Sequence, residues 1–305
     1  MALLRAAADD LLQVGLDEVL FQKYKEIDPV YAKLFDVRGS HRKFEQTTGF
    51  SGFGSLAQKN EGSPITYDDP YLGYKTTYTH NTYGLGFRVT QEMQQDDLYD
   101  VIKRMPAALA DTVVRFKDTQ CANVFNNGFT SVATSAPWIS GSDGVTLFST
   151  VHPLSGGGTY QNILTTAADL SVTSLEEALY TMRLTVDDRN ALVDLNPRYL
   201  LIPPQLERTA YELVKSTGRP DTANRADNWL NTQNLQILVW NRLTDTNAWF
   251  LLTEKSQHNL LYYNRMELET DSDRDFNTKD FLYSVTTRFS VGWADWRGVF
   301  GTPGA

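Results

Sequence analysis

The chain has 305 residues, of which 41% are hydrophobic and 21% charged, and this length and composition suit one large or two modest folded domains. Its 28 basic and 37 acidic residues give a net charge of −9, which argues against a protein that grips nucleic acid through clustered Lys and Arg. Cys121 is the only cysteine, which excludes an intrachain disulfide and a Cys-based zinc site and suits a reducing cytosol. No apolar run of about 18 residues occurs, so the sequence predicts no membrane-spanning helix.

Residues 1–48 open with short apolar stretches that could be mistaken for a targeting peptide. Charged residues interrupt these stretches, namely Arg5, Asp9, Asp10, Asp17 and Glu18. Secretory signals and transit peptides lack that acidity. The apolar residues are also too scattered to form a core of their own, so we predict an N-terminal arm with some helical character.

Residues 49–89 differ sharply in composition from the segment before them. Gly, Ser, Pro, Asn and Asp dominate the stretch 49–73, with four aromatic residues interspersed, namely Phe50, Phe53, Tyr67 and Tyr71. The Thr- and Tyr-rich run 74–89 that follows favours extended strand. Long loops in compact proteins are uncommon and usually functional or disordered, so we predict a projecting loop or hairpin.

Residues 90–127 carry apolar side chains at steps of three to five, which predicts a long helix. The stripe consists of Leu98, Ile102, Met105, Leu109, Val113, Phe116, Cys121 and Val124. Asp96 and Asp97 suit a helix start, and Asn126-Asn127-Gly128 suits its end. If continuous, about thirty residues give a helix of about 45 Å. Pro106 predicts a bend there, or else it is the first-turn residue of a separate helix.

The residues from 128 onward mix helices and strands without βαβ regularity, which predicts an α+β fold. Residues 129–162 are rich in loop-forming residues. Helices are predicted at 175–189, capped by Thr173 or Ser174, and after Pro203-Pro204 as far as Gly218. Strands are predicted at 198–202, 234–240, 249–254 and 260–269, and alternation of apolar and polar residues predicts a strand at 281–293.

The residue patterns that could carry chemistry are weak. Ser149 and His152 lie three residues apart, but no G-x-S-x-G elbow accompanies them. The four histidines, His41, His80, His152 and His258, lack the spacing of a zinc site. The Gly-rich stretches also lack the lysine of a phosphate-binding loop. We therefore predict no catalytic residues and no cofactor.

One acidic run imitates part of a calcium-binding loop. Asp271, Asp273, Asp275 and Asn277 alternate like the oxygen ligands of an EF-hand. Phe276 stands where that loop needs glycine, and Leu282 stands where it needs a bidentate Glu. A solvated acidic turn explains the run better, so we predict no metal site.

Four stretches in order along the chain resemble the major capsid proteins of tailed bacteriophages, whose fold was first described for a Hong Kong lambdoid phage. They are YGLGFRVTQEMQQDD (83–97), GVTLFSTVHPLSGGGTYQN (144–162), RYLLIPPQLERTAYELVKS (198–216) and FNTKDFLYSVTTRFSVGWADWRG (276–298). The resemblance implies an N-terminal arm (1–48), an extended β-hairpin loop (49–89), a peripheral domain with a long spine helix (90–171 and 256–305) and an axial domain (172–255).

The resemblance also implies a function. We expect a major capsid protein that self-assembles as hexamers and pentamers into an icosahedral head, encloses DNA without sequence-specific binding, and is assembled in the host cytoplasm. No charged helical segment precedes the arm and Met1 opens the chain, which favours a separate scaffold protein; a portal and decoration proteins are further expected partners. Lys59 and Lys75 are expected to be ordinary exposed lysines rather than cross-linking residues.

Two alternatives remain beside this expectation. One is an encapsulin-type nanocompartment shell of the same fold, and the other is a hydrolase that uses Ser149, His152 and an Asp. For a shell protein, we further expect the arm and the loop to be held by neighbouring subunits rather than by their own. The aromatic residues that would make those contacts are Phe21, Tyr24, Phe35, Phe44, Phe50 and Phe53.

Overall fold

The computed structural model describes residues 2–70, 72–96, 101–130, 143–218 and 227–305. The helices are α1 (Ala2–Glu26), α2 (Tyr31–Leu34), α3 (Gln91–Asp96), α4 (Val101–Asn126), α5 (Val172–Arg183), α6 (Glu207–Lys215) and α7 (Trp229–Thr232). The strands are β1 (Asp36–Gly39), β2 (Phe44–Phe50), β3 (Leu72–Thr79), β4 (Asn81–Val89), β5 (His152–Pro153), β6 (Thr159–Tyr160), β7 (Tyr199–Ile202), β8 (Gln236–Val239), β9 (Trp249–Leu252), β10 (Leu260–Arg274), β11 (Phe281–Trp293) and β12 (Val299–Thr302).

A four-stranded sheet in the order β1-β10-β11-β4 forms the first half of the fold. Strand β11 buries alternate residues from Phe281 to Arg288, as the sequence predicted, because one face of the sheet packs against α1 and α4 there. From Phe289 to Trp293 every residue of the strand is buried. The long hairpin β10–β11 extends well beyond the predicted end at residue 269. Helices α1 and α4 both pack on this sheet.

Helix α4 carries the predicted apolar stripe and ends at Asn126, as predicted. Its last turn is closed by hydrogen bonds from the Asn127 N–H to the Asn123 carbonyl and from the Gly128 N–H to the Phe125 carbonyl. Pro106 lies inside the helix after Val101–Met105, so its interpretation as the first-turn residue of a separate helix is wrong. Asp97 and Leu98, which the sequence placed at the helix start, lie outside the described residues.

A second four-stranded sheet, in the order β12-β9-β7-β8, packs with α5, α6 and α7 around a separate core. The predicted helix at 175–189 is shifted: α5 begins at Val172 and ends at Arg183. Its cap is Ser171 rather than Thr173 or Ser174, because the Ser171 hydroxyl accepts the Ser174 N–H while the Ser174 hydroxyl accepts the Ser171 N–H. Strand β12, four buried residues long, was not predicted.

Strands β2 and β3 form an antiparallel hairpin from Phe44↔Thr79 to Phe50↔Leu72. We call the described residues 51–70 between these strands the loop tip; they contain neither helix nor strand. The projection therefore starts at Phe44, earlier than the predicted residue 49, and β4 belongs to the first sheet, where it pairs with β11. Tyr71 lies outside the described residues. The division into four domains remains a prediction.

The expectation that residues 1–48 are not held by their own chain is wrong for most of the segment. Leu16 and Leu20 of α1 are buried against α4 and β11, and Leu34 and Phe35 are buried in the core around the end of α4. Strand β1 also pairs in parallel with β10. Sequence inspection missed this packing because the partner surfaces come from far along the chain.

Candidate assembly surfaces

The loop tip and its flanking strands expose more large apolar side chains than any other described segment of similar length. Phe50 is 65% exposed and Phe53 is 66% exposed. The other exposed apolar residues of this region are Phe44, Leu56, Ile65, Tyr67, Leu72 and Tyr74. A concentration of exposed apolar side chains in one segment marks a site of association, since water contact with such side chains is unfavourable.

One clasp on its own chain holds the loop tip. The Asp68 carboxylate accepts the Gly54 N–H at 2.7 Å and the Arg189 Nη1 at 2.8 Å, while Arg189 Nη2 donates to the Asp69 carbonyl at 2.5 Å. The Gly54 N–H, followed by the Arg189 guanidinium, lowers the pKa of Asp68. The clasp fixes the course of the backbone and leaves Phe53 and Leu56 pointing into solvent.

The root of the hairpin, in contrast, is buried. The Tyr78 ring packs on the Tyr263 ring of β10 at a centroid distance of 5.1 Å, and both side chains are buried. His80 is the single residue between β3 and β4, and its two ring nitrogens lie 3.0 Å from Ser40 Oγ and 2.9 Å from Ser290 Oγ. The hairpin is therefore a projection fixed at its base and exposed at its tip.

A second apolar surface lies where α4 crosses β4 and β11. It is a groove of about 460 Å³ lined mainly by Tyr83, Leu85, Val113, Phe116 and Val285. Strand β4 is an edge strand of its sheet, and Leu85 on it is half exposed. Edge strands and open apolar grooves are both surfaces that other polypeptide segments can cover.

The residues of the predicted hydrolase alternative do not form a catalytic arrangement. The Ser149 hydroxyl accepts the Val151 N–H at 3.2 Å. The buried His152 ring contacts Asp143 Oδ2 through Nδ1 at 2.7 Å and Asn162 Oδ1 through Nε2 at 3.1 Å, and it stacks on Trp296. Both ring nitrogens are engaged with groups other than Ser149, so the ring serves to order the segment before β5.

The acidic run at the β10–β11 turn uses its carboxylates on its own backbone. Asp275 Oδ1 accepts the Asn277 N–H at 2.7 Å, and Asp273 Oδ1 accepts the Arg274 N–H at 2.7 Å. Across the described residues, no group of three or more His, Cys, Asp or Glu side chains converges as metal ligands would. In the same part of the chain, no helix is long and apolar enough to cross a bilayer.

Sequence reasoning located the exposed loop but not the residues that anchor it. The pairing of Asp68 with Arg189 joins positions more than a hundred residues apart, and no local pattern marks it. The grouping of Ser40, His80 and Ser290 is likewise visible only in three dimensions.

Comparison with known proteins shows which family and which solved structures this chain resembles. A family model described as phage capsid protein matches residues 73–301. The capsid structure of cyanophage P-SCSP1u superposes with a TM-score of 0.61 at 12% identity, covering 91% of this chain and 88% of that one. A structure from Microbacterium phage Oxtober96 gives a TM-score of 0.58 at 11% identity, covering 90% and 91% of the two chains.

A virus-like particle from Pyrococcus furiosus shares the fold more distantly, with a TM-score of 0.51 at 10% identity over 94% of this chain and 98% of that one. No curated protein matches the sequence. The structural likenesses confirm the predicted α+β capsid fold.

Proposed function

The chain belongs to the phage capsid protein family, and from that membership we propose that the loop tip is the main contact by which its copies hold one another. The chain is a major capsid protein, a virion component whose copies assemble into a shell. The finer arrangement, hexamers and pentamers in an icosahedral head, is part of the proposal.

The exposed apolar side chains of the loop tip and of the adjoining end of β2 carry the proposal. An isolated chain leaves Phe50, Phe53 and Leu56 in water, and burial of each in a neighbouring copy would contribute about 1.5–3 kcal/mol. The apolar groove lined by Leu85 and Phe116 offers a complementary surface on the neighbour. Repeated around a ring of copies, one loop-to-groove contact per subunit would join the ring.

Replacement of Phe53 and Leu56 by Ser tests the proposal. We expect the double variant to fold with an unchanged melting temperature, because both side chains are exposed, and to fail to form shells under electron microscopy and sedimentation. Leu85→Lys should cause the same defect from the groove side. Gln58→Ser, an exposed polar position in the same loop tip, is the matched control and should assemble normally.

Normal shells from the Phe53/Leu56 double variant would overturn the proposal. A variant that assembles poorly and also melts at a lower temperature would instead place these residues in the subunit's own core. The two measurements together therefore separate an intersubunit role from an intrachain one.

The remaining functional proposals rest on the net charge and on what membership of the capsid family implies. With a net charge of −9, we propose that the shell encloses DNA without gripping it in a sequence-specific way. We further propose assembly in the host cytoplasm with a separate scaffold protein, a portal and decoration proteins, and no catalytic activity. Incubation of purified shells with ester and peptide substrates, compared with Ser149→Ala shells, tests the last point.

A further inference from the structure

The two ends of the β2–β3 hairpin, the segment before β2 and the residue after β3, meet at the buried His80. Ser40 immediately follows β1 and stands four residues before β2, while His80 immediately follows β3. The Ser40 N–H donates to the Asn264 carbonyl of β10 at 2.9 Å, so this end of the hairpin is fixed to the sheet by its backbone. Ser290 lies on β11, opposite Tyr263 of β10. The three side chains are all buried.

The hydrogen bonds around His80 assign its protonation state. The Ser40 hydroxyl donates to Glu45 Oε1 at 2.8 Å, so it must accept from His80 Nε2, which therefore carries a hydrogen. The Arg42 N–H also donates to Ser40 Oγ at 3.2 Å. Nδ1 of His80 is then free to accept the Ser290 hydroxyl at 2.9 Å. A neutral imidazole therefore satisfies both ring nitrogens of His80 and the hydroxyl groups of Ser40 and Ser290.

We propose that Ser40, His80 and Ser290 form a latch that fixes the hairpin to its sheet, and that protonation of the His80 imidazole loosens this latch. When Nδ1 of His80 is protonated, it becomes a donor and can no longer accept the Ser290 hydroxyl, so the present hydrogen bond between them is lost. The imidazolium would also carry a charge into a buried site.

The charged groups around the latch oppose protonation on balance. Glu45 of β2 favours the imidazolium, whereas Arg288 of β11 and Arg265 of β10 disfavour it, and the Tyr263 ring packs edge-on to the imidazole. Burial, followed by Arg288, lowers the pKa of His80 below its ordinary value of 6.5. When the latch opens, the pKa of His80 returns to that ordinary value.

The sign of the pH dependence follows from this difference. Above about pH 6.5 the imidazole is neutral in both the closed and the open latch, and the closed state keeps its full stability. As the pH falls from about 6.5 towards the lower pKa of the closed latch, the open state binds the proton more readily. Opening is then favoured by up to about tenfold for each unit of pH.

Hydrogen exchange of the full-length chain measures this opening directly. We compare backbone amide protection in β2 and β3 between about pH 7.5 and pH 5, normalised to the intrinsic exchange rate at each pH. His80→Gln is the test variant, because its amide can donate to Ser40 and accept from Ser290 without titrating. His41→Gln removes an exposed histidine beside the same end of the hairpin and is the matched control.

The wild type and His41→Gln should lose protection in β2 and β3 over this range, by up to about tenfold for each pH unit below about 6.5, while His80→Gln should lose none beyond the change seen in α4. Equal pH dependence in the wild type and His80→Gln would overturn the proposal. If His80→Gln does not fold, Ser290→Ala takes its place. That variant should lower protection at about pH 7.5 to near the wild-type value at pH 5, and unchanged protection would overturn the latch. Because unassembled chains suffice, this result is independent of whether the loop tip joins the subunits.

Discussion

The carboxylate of Asp118 on α4 accepts a hydrogen bond from the indole Nε1 of Trp240 at 2.8 Å, and both side chains are buried. Its other oxygen accepts the Tyr31 N–H of α2 at 3.2 Å. One carboxylate thus joins the spine helix to the segment after β8 and to the N-terminal segment. The apolar core around the end of α4 already joins the two sheets, since it holds Tyr262 and Phe289 of the first and Phe250 of the second, and this polar link adds to it.

We predict that Asp118→Ala destabilises the chain by about 2–4 kcal/mol, because it leaves the buried Trp240 N–H without an acceptor. Chemical denaturation measures the loss. Asp111→Ala on the same helix is the control, since it makes the same change in helix propensity at a less buried position. A loss no larger than that of the control would show that the link does not stabilise the fold.

Lys117 precedes Asp118 on α4 and is also buried, but its side chain contacts α1 and β10. Its ammonium donates to the Tyr24 hydroxyl and to the Glu267 carbonyl, each at 2.9 Å. Burial lowers the pKa of Lys117 to about 8, and Glu267 only partly offsets this effect. The charged lysine therefore costs stability while its hydrogen bonds hold α1 against α4 and β10.

We predict that the contribution of Lys117 to stability rises with pH in the window from about 8 to 9.5. The unfolded lysine, with a pKa near 10.5, binds more protons there than the folded one, so the slope is positive and about 1 kcal/mol per pH unit. Burial also raises the pKa of the Cys121 thiol above its ordinary value of 9.0 and the pKa of Tyr24 to about 12, and both groups lower stability as the pH rises through their ordinary values. The contribution of Lys117 is therefore the difference between the wild type and Lys117→Met. Denaturation between pH 8 and 9.5 should give the wild type and the exposed-site variant Lys25→Met a slope more positive than that of Lys117→Met by about 1 kcal/mol per pH unit.

The features that sequence predicted are those whose pattern lies within one segment. Strand β11 was found because one buried face imposes alternation, and the loop tip was found because its composition cannot form a core. Strand β12 was missed because four wholly buried residues have no periodicity. The packing of α1 was missed because Leu16 and Leu20 meet partners that the chain supplies about ninety residues later.

In the candidate assembly surfaces, too, sequence predicted the local features and missed the long-range contacts. Exposed aromatics such as Phe53 follow from local composition, but their anchoring does not. Arg189 and Asp68 meet only because the loop tip reaches the segment after α5, and His80 meets Ser290 only through the pairing of β4 with β11. Such contacts depend on tertiary geometry, which no short stretch of sequence contains.

We predict that Arg189→Ala releases the loop tip from its clasp, because Asp68 and the Asp69 carbonyl lose their charged donor. Limited trypsin digestion of the unassembled chain should then cut after the exposed Lys59 several-fold faster. Arg208→Ala, which removes an exposed pair with Glu212 on α6, should leave the rate unchanged. Equal rates in both variants would mean that the clasp does not restrain the loop.

The proline within the spine helix motivates the last prediction. Pro106 is buried in α4, and the helix continues on both sides of it. Proline in a helix interior costs about 3 kcal/mol relative to alanine, because it lacks the N–H and its ring crowds the preceding turn. We predict that this turn is where α4 bends, and that the bend differs between subunits of pentamers and hexamers.

Pro106→Ala should stiffen that turn by restoring the hydrogen bond that an N–H at this position donates. We expect a subunit more stable by about 1 kcal/mol, since the gain in helix propensity exceeds the loss of buried ring contacts. We also expect shells with a narrower range of α4 bend angles, measured by electron cryomicroscopy of the two kinds of subunit. Ala107→Gly, which loosens the same turn and keeps the proline, should preserve the wild-type range. Identical bend angles in Pro106→Ala and wild-type shells would show that curvature is set elsewhere in the chain.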